Sequence, residues 1–72
     1  MPTIDIQVLD DVFTTDEKEQ IIQRVTDAFG TVVGENIKGG TVVRIHEVKS
    51  GAWGLGGTIL TTSLAKSMRS GG

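Results

Sequence analysis

Residues 2–9 alternate between apolar and polar positions. Ile4, Ile6 and Val8 fall on one side together with Pro2, and Thr3, Asp5 and Gln7 fall on the other. A period of two predicts a half-buried strand. Leu9 breaks the alternation at the strand's end, and Asp10 and Asp11 mark a loop. The period changes at "TTDEKEQ". Thr14 and Glu17 have the spacing of a capping box, and Asp16 and Glu17 suit the positive end of a helix dipole. Behind them Ile21, Ile22, Val25, Ala28, Phe29, Val32 and Val33 recur at gaps that trace one helical stripe. Gly34 is a natural stop. Gly30 lies inside this helix, where glycine costs about 1 kcal/mol relative to alanine.

"ENIKGG" at 35–40 reads as a polar turn. "TVVRIHEV" at 41–48 is rich in β-branched residues and predicts a second strand. Val42, Arg44, His46 and Val48 share one of its faces; Val43, Ile45 and Glu47 share the other. "GAWGLGG" has four glycines in seven positions, which predicts a tight loop or short hairpin around Trp53. The tail from about 61 to 72 reads as amphipathic at best and partly flexible. No repeat or change of composition divides the chain, so 1–72 reads as a single domain.

Strand, helix, strand with one helix of this length predicts an α/β fold built on a βαβ unit, with parallel strands and a right-handed crossover. One helix covers one face of the sheet. Parallel sheets are normally buried on both faces, and the second face carries Val42 and Val48 with nothing in this chain to cover it. A further copy of the chain is the expected cover.

Composition narrows the chemistry. Seven basic and nine acidic residues give a net charge of −2, which disfavours a nucleic-acid partner. No run of apolar residues is long enough to span a membrane, and no basic-then-apolar leader opens the chain. A cytoplasmic location is the expectation. There is no cysteine and only one histidine, so disulfides and thiolate metal sites are excluded and no metal site is expected. A chain this short has a small core and usually needs outside support, which leaves self-association.

Five features invite a functional reading. "GAWGLGG" is not a phosphate loop, because no GK[ST] follows and the third glycine of GxGxxG is absent at Ile59. His46 on a strand face is either a general base or a surface or interface residue. Arg44, two residues away on the same face, either snorkels or binds an anion. Trp53 is either interface core or the lid of a pocket. Pro2 is either a stiff strand start or, once Met1 is removed, a secondary amine. An α-amino group titrates near ~8 in water, and desolvation or a nearby cation such as Arg44 lowers that value. A neutral amine at pH 7 serves as a general base or nucleophile.

The whole chain resembles one family. "PTIDIQVL" as a strand behind Met1, "TDEKEQIIQRVTDAF" as a helix and "WGLGG" after the second strand are similar to the 4-oxalocrotonate tautomerase family of the tautomerase superfamily, from Pro2 to about Leu60. The resemblance implies the tautomerase/macrophage migration inhibitory factor-like fold: a βαβ protomer with a short C-terminal hairpin that dimerises and builds a hexamer. It implies no metal and no organic cofactor. It implies an isomerase in which the amino-terminal proline nitrogen, here on Pro2, moves a proton between atoms of an α-keto acid or its enol. It places the family's pocket aromatic on Trp53 and a substrate-contacting backbone amide on Leu9.

Departures from the family pattern narrow the substrate. The family's diacid isomerases carry an arginine after the first strand, where this chain has Val12 and Phe13. Their second arginine aligns near Val42, two residues before Arg44. Losing the first removes a bidentate carboxylate partner, and Asp10 and Asp11 repel a second carboxylate. The expected substrate is therefore a monoacid, aromatic or more apolar keto-enol compound, with Arg44 holding its carboxylate. Two alternatives stand beside this reading. A non-catalytic oligomeric scaffold follows if Met1 stays and Pro2 remains an amide. One subunit of a heterohexamer follows if a second chain supplies the missing arginine.

Overall fold

In the computed structural model, which describes residues 1–71, the alternating segment forms β1 (Thr3–Leu9) and the helical stripe forms α1 (Thr15–Val33). The cap forms as its spacing predicts. Thr14 Oγ1 accepts from the Glu17 amide at 3.1 Å, and the Glu17 carboxylate accepts from the Thr14 amide at 3.0 Å. Gly34 ends the helix at φ 93°, a conformation that favours glycine.

The segment read as a polar turn is instead a single helical turn, α2 (Glu35–Lys38). Its cause lies in α1. A Cβ on Gly30 would meet the Lys38 side chain at 2.5 Å, so glycine there lets the Lys38 methylenes cross over α1. The Lys38 ammonium then reaches Asp27 at 3.0 Å, and that hydrogen bond holds its pKa above the ordinary lysine value. The helix-weakening glycine is thus the seat of a packing contact.

Strand β2 (Val42–Val48) pairs in parallel with β1, with Thr3 opposite Val42 and Leu9 opposite Val48. The ladder is extended at both ends, by the Val42 amide to the Pro2 carbonyl at 3.0 Å and the Asp10 amide to the Val48 carbonyl at 2.7 Å. Ile4, Ile6, Val8, Val43 and Ile45 are half-buried, while Thr3, Asp5, Gln7, Val42, Arg44 and His46 are exposed. The open face is the one expected from the alternation.

Beyond β2 the chain forms a hairpin of β3 (Trp53–Leu55) and β4 (Thr58–Leu60). Its turn residues Gly56 and Gly57 both have positive φ, 58° and 86°, as a tight two-residue hairpin turn requires. Helix α3 (Thr62–Arg69) occupies the stretch read as a partly flexible tail. Thr61 caps it, and its far end is tied down by Arg69. That guanidinium pairs with the Glu17 carboxylate through both terminal nitrogens, donates to the Val12 carbonyl at 3.1 Å, and lies 5.0 Å from the Phe13 ring centroid.

The protomer is thinly covered. Leu9 and Val12 are the only buried apolar side chains among the described residues. The chain exposes 5065 Å², where a folded monomer of its mass exposes roughly 4,300 Å². Its radius of gyration is 14.7 Å, against about 11 Å for a compact domain of this length.

Candidate functional site

Pro2 sits at the head of β1, half-buried, on the helix-covered side of the sheet. Its carbonyl is engaged by Val42, so the backbone there is fixed. With Met1 attached its nitrogen is a tertiary amide with no basic lone pair. The amine exists only once Met1 is removed. Met1 itself lies against Gly40, where an added Cβ would meet its methyl group.

Arg44 projects from the open face, opposite Asp5 in the parallel register. Its Nε donates to Asp5 Oδ1 at 3.1 Å, and His46 Nε2 lies 3.3 Å from the same oxygen. The hydrogen bonds from His46 and then Arg44 hold the Asp5 carboxyl below its ordinary value of 3.8. Arg44 uses Nε alone in that pair, which leaves its two terminal nitrogens to form a fork for another anion. His46, weighed as a base, is half exposed beside this pair.

Leu9 and Trp53 come together. They line one groove of about 320 Å³ at the far end of β1, along with Val12, Phe13, Leu60 and Met68. Apart from Gln7 and Arg69 its lining is apolar. Seven residue steps of about 3.3 Å put Pro2 roughly 23 Å from Leu9 along the strand. One protomer therefore brings together Leu9 and Trp53 and holds Pro2 apart from them. A second cavity of about 400 Å³ runs along α1 past Phe13, Gln20 and Arg24 and contains none of these four residues.

Sequence reasoning missed the Asp5 pairing, because only the strand register puts position 5 opposite 44. It also missed Ala65 and Met68 in the groove. Their signal was the helical spacing of Leu64, Ala65 and Met68 in a tail that shows no strong helix start.

Just past Leu9, at the carboxyl end of β1, lies an acidic corner. Ligand oxygens of Asp10, Asp11 and Glu47 fall within 4.8 Å of one another. Contacts within the chain account for it. A Glu47 hydrogen bond pushes the Asp10 carboxyl up, and the Lys18 ammonium holds Glu47 down. The Asp11 backbone, at φ 61°, turns its amide toward Glu47 at 3.4 Å. The corner ties α1 to β2 at the loop that follows β1.

Two comparisons bear on this arrangement. A family model described as "Tautomerase enzyme" matches residues 2–63. The chain is also 38% identical over 61 residues to probable tautomerase K2 of Dickeya dadantii (strain 3937), a match covering 85% of this chain and 90% of that protein. No helix among the described residues is long and apolar enough to cross a membrane.

Proposed function

The chain belongs to the tautomerase enzyme family, a family of isomerases, and from that premise we propose that Pro2, freed of Met1, is the general base of a keto-enol tautomerase acting on an α-keto acid or its enol. The observation that carries this reading is that the family match begins on Pro2, the residue whose nitrogen becomes an amine when Met1 leaves.

Neutral Pro2 takes a proton from the enol hydroxyl, or from a carbon made acidic by the neighbouring carbonyl. The terminal nitrogens of Arg44 hold the substrate carboxylate and stabilise negative charge as it grows on the oxygen. The protonated amine then returns its proton to a different atom of the same substrate. Trp53 and the Leu9 backbone form the wall against which the substrate lies. Apolar surroundings favour the uncharged amine, which keeps Pro2 ready to accept a proton. No cofactor enters this scheme, because one proton leaves and one returns.

The separation of Pro2 from Leu9 and Trp53 makes the site a composite of several copies. Self-assembly, with dimers building a hexamer, brings the head of one β1 to the groove of another protomer. The excess exposed surface and the uncovered sheet face support that assembly. Its test is Pro2→Ala. Tautomerase activity is expected to fall by about 10²–10⁴-fold with the oligomer mass unchanged. A Pro2→Ala protein with full activity contradicts the reading.

A further inference from the structure

Helix α3 extends past the stretch that the family match covers. The match ends at residue 63, and the side chains that α3 gives to the groove, Ala65 and Met68, come after it. They face the same space as Leu9 and Trp53. We propose that α3 is the specificity wall of this site, with Ala65 and Met68 forming a subsite for the aryl arm of a monocarboxylate keto-enol substrate. The inference rests on the tautomerase reading above and adds to it the part of the substrate that lies away from the reacting carbons.

Three observations carry it. The wall is held in place from both ends. Thr62 Oγ1 donates to the Asp10 carbonyl at 2.6 Å, the Thr62 amide donates to Ser50 Oγ at 3.0 Å, and Arg69 grips Glu17, the Val12 carbonyl and the Phe13 ring. A pre-formed wall spends little binding energy on ordering itself.

The groove's charge also selects. Its one cation, Arg69, already faces the Glu17 carboxylate. A second substrate carboxylate would enter without a partner, and an unpaired charge in apolar surroundings is costly. An aryl or branched alkyl arm meets a lining that is apolar apart from Gln7 and Arg69 and includes the Trp53 and Phe13 rings.

Size is the third. A cavity of about 150 Å³ lined by aliphatic and aromatic side chains takes up benzene. This groove, at about 320 Å³, has room for a phenyl ring and the atoms that join it to the keto acid.

The test follows exchange of the C3 protons of three keto acids in D₂O by NMR: phenylpyruvate, 2-oxobutanoate, whose arm is a single methyl, and 2-oxoglutarate, which has a second carboxylate. It compares the parent protein with Met68→Arg and Ala65→Leu. Met68 is largely exposed, so its replacement does not threaten the fold. Both variants are expected to lower kcat/KM for phenylpyruvate about tenfold relative to 2-oxobutanoate, mainly through KM. Met68→Arg is also expected to raise the rate with 2-oxoglutarate relative to the other two. A phenylpyruvate to 2-oxobutanoate ratio that stays within about twofold of the parent in both variants overturns the wall. So does a change in oligomer mass with that ratio intact, since the groove would then hold a second copy of the chain. Pro2→Ala in the same assay separates the two claims. Loss of all exchange with a constant ratio in the other variants removes only the wall. Undiminished exchange in Pro2→Ala removes the tautomerase reading and the wall with it.

Discussion

At its amino end β1 follows a residue with latent chemistry, which lines neither of the two grooves described above. At its carboxyl end it carries a pocket and no base. Pro2 is half-buried beside an exposed Met1, whereas Leu9 is 5% exposed and is enclosed by Val12, Trp53 and the C-terminal helix. About 23 Å of strand separates them. A parallel βαβ unit cannot bend its first strand to join its ends, so neither end is a site by itself. On the reading proposed above, further copies complete the chain, and its energetics favour the same reading. A protomer with two buried apolar side chains among its described residues and a largely uncovered sheet face has little core of its own.

Changes at one end should therefore leave the other end's properties intact. The largest effect after Pro2→Ala is expected at the pocket end. Trp53→Ala should lower kcat/KM by about 10–100-fold, mostly as a rise in KM, since it removes an aromatic wall and not the base. Steady-state kinetics on an enol monoacid checks this. An equal loss in kcat would mean that Trp53 acts on the reacting atoms and would erase the distinction between the ends.

A smaller effect is expected between the ends, on the open face. Asp5 has its pKa lowered in the folded chain, first by His46 and then by Arg44. A group shifted this way adds stability above its ordinary value of 3.8 and loses it as the pH falls through the lower folded value. Asp5→Asn should therefore flatten the acid limb of the stability profile below about pH 4 and leave the neutral region little changed. Thermal melts at a series of pH values report it. A variant whose acid limb matches the parent's would show that Asp5 does not hold Arg44 in solution.

The parts of the molecule that were legible in the sequence are those whose signals are local. The alternation of residues 3–9, the reciprocal pair Thr14 and Glu17, and the stop at Gly34 each lie within a few residues and appear in the structure where they were expected. The β-branched run gave β2, and the paired glycines gave the hairpin turn. The rest depends on contacts distant in sequence. Helix α2 is a single turn whose lysine packs over Gly30. Helix α3 is eight residues long, too short to be stable alone, and its anchor Arg69 meets Glu17 across 52 positions. The candidate site shows the same division. Pro2, Leu9, Arg44 and Trp53 stand out by residue type and by resemblance. That Asp5 takes Arg44 depends on strand register, and that Met68 joins Trp53 depends on a helix the tail does not announce.

The composite site is tested most directly by mixing two defective chains. Pro2→Ala and Trp53→Ala are each purified, unfolded, combined one to one and refolded, with each alone as a control. Activity is read at substrate concentrations well below KM. Random assembly of the two chains places an intact Pro2 from one copy beside an intact Trp53 from another in about a quarter of the sites. The mixture is expected to regain about a quarter of the parent's activity, well above either control. A mixture no more active than the mean of the two controls would place the base and the wall within one chain and contradict the account.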